Sequence, residues 1–159
     1  MNRTGKRREP PGGTGGPPIG PGAGVPETRS PERRGVAETL GALERALAKA
    51  GETFPPTLGR VRDAAGRVRH APSFVQRLGA LTLGATTWIW CQPAEGAATG
   101  VAGQLVLDLP EGRYLCEVLD VAGAVWCSRE SAAGNPLVIG LPALAGEAVV
   151  KIERVGPGR

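Results

Sequence analysis

The sequence has few of the residues from which catalytic centres and metal sites are usually built. His70 is its one histidine, and the three cysteines, Cys91, Cys116 and Cys127, form no CxxC pair and no Cys/His cluster. Zinc sites and disulfide frameworks need such clusters or an even set of cysteines. Each cysteine instead lies in or at the end of an apolar run, as small core residues do. We therefore predict no metal site and no cofactor.

Motifs for phosphate binding and nucleophilic catalysis are also absent. The 25 glycines form no P-loop and no strand-bounded G-x-G-x-x-G, and Ser128 and Ser131 lie in no G-x-S-x-G elbow. Most acids of the C-terminal half fall in or beside turns, where solvated carboxylates are common. They suggest no pair facing each other across a cleft, which glycoside hydrolysis requires. The sequence therefore predicts no catalytic residue.

Long apolar runs are missing as well. No stretch approaches the length of a membrane-spanning helix, and the residues after Met1 are basic and polar, without the apolar core of a secretory signal. By default we expect a soluble cytoplasmic protein with no membrane partner.

Positive charge is concentrated in the first half of the chain. Residues 1–79 contain fourteen Lys and Arg against seven Asp and Glu, whereas residues 80–159 contain five against eight. A basic segment can attract nucleic acid through counterion release. Here the basic residues are scattered and no aromatic residues alternate with them, which argues against a nucleic-acid partner.

The chain divides into four zones by composition. Residues 1–31 hold eight Gly and seven Pro and almost no aliphatic residues, which predicts a disordered tail. Residues 32–51 predict an amphipathic helix, because Val36, Leu40, Leu43 and Leu47 fall on one stripe. Residues 52–79 form a basic connector, and residues 80–155 form the folded β-domain.

The connector contains the near-repeat GRVRDAAGRVRH. It suggests a short basic hairpin with Val61 and Val68 on one face and arginines on the other. Charge on such an edge hairpin can simply protect against aggregation. The alternative is an anion-binding patch formed by Arg60, Arg62, Arg67 and Arg69.

The last zone has the pattern of an all-β protein. Short runs of strand-forming residues alternate with turns, and the clearest pair is joined by a hairpin turn at Asp120–Gly123. The fold class predicted is a small antiparallel β-sandwich, preceded by one α-helix and the Gly/Pro-rich tail. The predicted strands are Ala85–Cys91, Gly103–Leu109, Arg113–Leu119, Ala124–Ser128, Pro136–Ile139 and Glu147–Arg154.

Four aromatic residues of this zone are candidate ligand-binding residues: Trp88, Trp90, Trp126 and Tyr114. Trp88 and Trp90 share one face of their strand, with Ile89 on the other. If that face is exposed, the two indoles form a platform for a sugar ring; if it is covered, they are core residues. Since both faces are apolar, the helix or a partner domain is expected to cover one of them.

Residues 73–155, from TTWIWCQPAEG through LPALAGEAVVKIERV, resemble a known module. It is the C-terminal β-sandwich, often labelled collagen-binding, of apiosidase-like bacterial glycoside hydrolases. The resemblance covers about half of the chain and rests on an Asp-x-x-Gly hairpin and a Pro-containing turn before the last strand. The aromatic pair that usually precedes the hairpin is replaced here by Val118-Leu119.

The resemblance implies a non-catalytic accessory module, because residues 1–72 are too few to form a catalytic barrel. Its partners would be a glycan or a neighbouring catalytic domain, and the chain could be a fragment of a larger glycosidase. The alternative is a small structural or assembly protein whose β-domain mediates protein contacts.

Overall fold

The computed structural model describes residues 30–55, 61–96, 102–133 and 136–157. These residues form ten strands, one α-helix and a short 3₁₀ turn, arranged as two sheets with the helix outside. The all-β architecture with one helix is therefore confirmed, whereas most of the predicted disordered tail lies outside the described residues.

The elements follow one another in a simple order. They are β1 (Glu32–Arg33), α1 (Val36–Lys49), β2 (Val61–Asp63), the 3₁₀ turn (Ala65–Arg67), β3 (Val68–His70), β4 (Val75–Leu83), β5 (Thr86–Pro93), β6 (Gly103–Leu107), β7 (Gly112–Asp120), β8 (Val125–Ala133), β9 (Leu137–Leu141) and β10 (Ala148–Pro157). The larger sheet has the order β1-β4-β5-β10-β7-β8, with β2 also paired to β4, and the smaller sheet has the order β3-β6-β9.

The space between the two sheets is the main core. Alternate residues of the larger sheet, such as Ile89 and Val150, point inward and meet Leu105, Leu107 and Ile139 of the smaller sheet. All five are buried. The period-two alternation of apolar residues along these strands therefore marks the inner face, as strand geometry requires.

The outer face of the larger sheet is covered by α1. The stripe predicted from the sequence supplies this contact: Leu43 and Leu47 are fully buried and pack with Trp88, Trp90 and other residues of a second apolar cluster. The helix begins at Val36, four residues later than expected. The preceding residues instead form β1, which pairs with β4 in parallel.

The basic connector does not form the expected hairpin. β2 pairs with β4 of the larger sheet, and β3 pairs with β6 of the smaller sheet, so the near-repeat passes from one sheet to the other. Ala65 of the 3₁₀ turn and the preceding Ala64 are buried, and the Ala65 amide donates to the Asp63 carboxylate at 2.8 Å. Val61 consequently packs on the helix side, while Val68 lies in the inter-sheet core.

The longest stretch missed by sequence reasoning is β4, most of which lies inside the predicted connector. It pairs with β5 along almost its whole length and forms the surface on which α1 packs. The hairpin between β7 and β8 is confirmed: Asp120 pairs with Val125 across a four-residue turn. The Asp120 carboxylate accepts from the Ala122 amide at 3.1 Å, which holds the turn.

α1 approaches the sheet closely at Gly79 of β4. A β-carbon there would lie 2.2 Å from Oγ1 and 2.8 Å from Cβ of Thr39. The Gly79→Ala substitution should therefore force helix and sheet apart and lower the free energy of unfolding by about 2–3 kcal/mol. Gly140→Ala is the matched control, because a β-carbon in that strand meets nothing within 4 Å. Urea unfolding followed by circular dichroism measures both; equal stability of the two variants would contradict this packing.

Because the Cys91 thiol is buried between the sheets, the free energy of unfolding should fall at alkaline pH. Desolvation raises its pKa from 9.0 to about 12. Below pH 9 the thiol is protonated in both states; as pH rises from 9 towards 12 only the unfolded chain loses the proton, so stability falls. Relative to Cys91→Val, the wild type should lose about 2 kcal/mol between pH 8 and about 10.5, measured by urea unfolding. Parallel pH dependence in both proteins would show that Cys91 is not the cause.

Candidate functional site

A groove opens on the outer face of the larger sheet, beside the C-terminal end of α1. Its volume is about 680 Å³. The groove exists because α1 covers only part of this sheet face, and the residues beyond the helix are largely polar. Its walls are formed by Leu47, Glu52, Thr53, Pro55, Leu83, Thr86, Trp88, Glu117, Trp126, Lys151 and Glu153.

Trp88 is an inner wall of this groove rather than an open platform. Its side chain is 5% exposed. The Phe54 ring packs on it at a centroid distance of 5.1 Å, and the Lys151 ammonium lies 5.6 Å from the indole centroid. The indole Nε1 is buried and has no hydrogen-bond partner among the described residues.

Trp90 packs in the same apolar cluster as the helix and does not line the groove. Its Nε1 donates to the Glu147 carboxylate at 2.7 Å, and the other oxygen of that carboxylate accepts from the Lys49 ammonium at 2.8 Å. Since Lys49 is the last residue of α1, this pair of hydrogen bonds ties the end of the helix to the sheet. Burial and bonding of Trp90 are those of a core residue.

Trp126 is the aromatic residue of the groove that remains half-exposed. It lies on β8, next to the uncovered part of the sheet, and its Nε1 donates to the Glu52 carboxylate at 3.3 Å. This bond joins the loop after α1 to the edge of the sheet. Trp88 and Trp90 do share one face, and α1 covers it, as in the core alternative. The groove instead lies between Trp88 and Trp126.

The charged residues of the groove were not among the sequence candidates. Lys151 lies opposite both Trp88 and Glu117 in the sheet register. Its ammonium is 3.6 Å from the Glu117 carboxylate and 3.9 Å from that of Glu153. With Glu52, the lining carries three carboxylates and one ammonium, which makes it acidic. In the sequence, the alternation of Lys151 and Glu153 with the apolar Ile152 indicates that these two charged side chains share a face. The position of Glu117 beside Lys151 follows only from the strand register.

The remaining candidates lie elsewhere. Tyr114 is on the inner face of β7, and its hydroxyl donates to the Pro110 carbonyl at 2.6 Å. Arg62 and Arg67 line the same cavity as Tyr114. Arg69 is directed away and forms an ion pair with Asp108. Arg60 lies outside the described residues.

Two features are absent from the described ranges. Within them, no group of three or more His, Cys, Asp and Glu residues is arranged to hold a metal ion. The described helix is also too short and too polar to span a membrane.

Comparison with known proteins adds a distant likeness. No protein-family model matches the chain, and no curated protein matches it. A solved structure of a glycoside hydrolase aligns with 74% of this chain at 10% identity and a TM-score of 0.46. The aligned part spans 25% of that enzyme's length. At these values the likeness assigns neither an activity nor a residue role.

The contacts of Glu147 predict how much its hydrogen bond with Trp90 contributes to the free energy of unfolding. Glu147→Ala leaves the buried Trp90 Nε1 without a partner and should lower the free energy of unfolding by about 1–3 kcal/mol. Lys49→Ala removes only the exposed ion pair between Lys49 and Glu147, and should lower the free energy of unfolding by roughly 0–1 kcal/mol. Chemical unfolding of the two variants measures the difference. A loss in Lys49→Ala as large as in Glu147→Ala would contradict the structural role of the indole bond.

Proposed function

We propose that this chain is a non-catalytic binding module that contacts a glycan through the groove between Trp88 and Trp126. The observation that carries the proposal is the half-exposed Trp126 indole beside an acidic, open lining. The resemblance of residues 73–155 to the accessory β-sandwich of apiosidase-like glycoside hydrolases supports the same function. A neighbouring catalytic domain would be the natural partner of such a module.

The chemistry of the groove suits a neutral sugar. The C–H groups on one side of a pyranose ring can pack on an indole, while its hydroxyl groups need hydrogen-bond acceptors. The carboxylates of Glu117 and Glu153 are acceptors, and the Lys151 ammonium is a donor. Apolar walls with a few convergent polar groups are typical of small-molecule sites.

The same contacts support a binding role without catalysis. Glu117 and Glu153 both lie beside the Lys151 ammonium, which partly neutralises them. A glycosidase requires one carboxylic acid and one carboxylate across the scissile bond, each in its own environment. Two carboxylates that share one cation instead form a fixed polar surface.

A second function, assembly through the β-domain, is supported by the edge of the larger sheet. β8 is the last strand of that sheet, and its Val125 side chain is 57% exposed. Between β8 and β9 lies a cleft of about 340 Å³ lined in part by Val118, Ile139 and Leu141. Antiparallel pairing of β8 with β8 of a second copy would cover this edge, as in many symmetric dimers. Sedimentation equilibrium tests this second function, which expects a dimer. The glycan proposal is compatible with a monomer.

Trp126→Ala tests the glycan proposal. Loss of the indole surface should weaken binding of a soluble glycan by roughly tenfold or more. The measurement is a panel of plant and bacterial oligosaccharides, titrated while acrylamide quenching of tryptophan fluorescence is followed. The bound glycan should protect the emission of Trp126 from the quencher.

Val125→Ala is the matched control, because Val125 precedes Trp126 on the same strand and points to the opposite face. It should leave glycan affinity unchanged within about twofold. The proposal fails if no oligosaccharide of the panel binds, or if Trp126→Ala binds as well as the wild type while both proteins are folded by circular dichroism.

A further inference from the structure

A second cavity opens on the other side of the larger sheet, at one end of the space between the two sheets. Its volume is about 300 Å³, at the lower end of typical small-molecule sites. Three arginines contribute to its lining: Arg62 from β2, Arg67 from the 3₁₀ turn and Arg154 from β10. Arg62 and Arg67 are five residues apart, and the fold brings the distant Arg154 to the same cavity.

Strand register explains why Arg62 and Arg154 lie on the same face of the larger sheet. Arg62 lies opposite Thr82, and Thr82 lies opposite Thr87, so the three side chains form a row on one face of the sheet. Thr87 lies opposite Ile152 of the inter-sheet core, which places this row on the inner face. Arg154 lies on the same face two residues after Ile152.

The positions of the other two arginines are fixed by backbone contacts. The Arg67 amide donates to the Ala64 carbonyl at 2.9 Å, and its own carbonyl accepts from the Asp108 amide at 2.7 Å. The Arg154 guanidinium donates to the Glu111 carbonyl at 3.0 Å, and among the described residues this bond engages one of its five N–H groups.

The charge of this cavity is unbalanced. Within the described ranges none of the three guanidinium groups has a carboxylate within 4 Å, whereas Arg34, Arg69 and Arg77 all form ion pairs. Asp63 is the one acid among the lining residues, and its carboxylate accepts the Ala65 amide. Arginine cannot lose its proton in a protein, so this excess positive charge cannot be relieved by titration.

We propose that this cavity binds a tetrahedral oxyanion, phosphate or sulfate, either free or carried on a small molecule. Guanidinium groups donate paired hydrogen bonds to such oxygens, and the binding of an anion offsets the repulsion among three like charges. Thr82 and Thr87 line the same cavity, and their side chains carry hydroxyl donors that suit such a ligand. The site is formed by Arg62, Arg67 and Arg154, and differs from the arginine set suggested by the near-repeat.

The test is isothermal titration of the full chain with inorganic phosphate and, in a parallel arm, with glucose 6-phosphate. The double variant Arg62→Gln/Arg154→Gln should bind both ligands at least roughly tenfold more weakly than the wild type. Arg62→Lys keeps the charge but loses the planar fork, and should show a smaller loss. Tighter binding of the sugar phosphate than of inorganic phosphate would identify an oxyanion carried on a small molecule; equal binding would identify the free ion.

A double variant that neutralises two other exposed arginines, Arg45→Gln/Arg129→Gln, controls for the change in net charge. Neither Arg45 nor Arg129 forms an ion pair in the described structure or lines this cavity. This control should bind phosphate within about twofold of the wild type. Equal weakening in both double variants, or no binding of either ligand to the wild type at about 10 mM, would overturn the proposal.

Circular dichroism confirms that each variant is folded. Trp126→Ala should leave phosphate binding intact, which separates this site from the glycan groove.

Discussion

The larger sheet is apolar on both faces, and the rest of the structure depends on covering both. Along β5 the side chains alternate between the two sides, with Trp88 and Trp90 in one apolar cluster and Ile89 and Cys91 in the other. The smaller sheet covers the inner face and α1 covers the outer face. Helix and sheet contact so closely at Gly79 and Thr39 that the helix belongs to the folded domain.

Partial cover creates the candidate groove. α1 is 14 residues long and packs over one part of the outer face. Beyond its end the strands change from apolar to charged side chains, which are stable only where water or a polar ligand can reach them. The half-exposed Trp126 lies at this boundary, beside Glu52 of the loop that leaves the helix. The groove is therefore a consequence of helix length as much as of the residues that line it.

The two proposed sites differ in charge because they lie on opposite faces near the same end of the sheet. Thr86 lines the acidic groove and Thr87 lines the arginine cavity. Adjacent residues of a strand point to opposite faces, so neighbouring positions can serve ligands of different charge. The groove suits neutral hydroxyl-rich ligands, while the arginine cavity suits an anion.

Features set by local pattern could be predicted from the sequence. The stripe of Leu43 and Leu47 predicted the helix, and the turn after Asp120 predicted the β7–β8 hairpin. The need to cover both faces of β5 followed from alternation alone, and α1 provides the outer cover.

Features that depend on long-range pairing could not be predicted. β4 has a continuous buried run over residues 78–81, so it lacks the alternation that identifies a half-exposed strand. The near-repeat looked like a hairpin because its halves are equally basic, yet each half pairs with a different sheet. The contact of Lys151 with Glu117 and the lining of one cavity by both Arg62 and Arg154 depend on strand register, which the local sequence pattern does not determine.

The most direct test of the central claim is the behaviour of the three indole N–H resonances in a ¹⁵N-labelled sample titrated with a glycan that binds. A ligand in the groove should shift the Trp126 resonance strongly and that of Trp88 beside it, while Trp90, bonded to Glu147 beneath the helix, stays unchanged. Binding that leaves the Trp126 resonance in place would contradict the assignment of the groove as the glycan site.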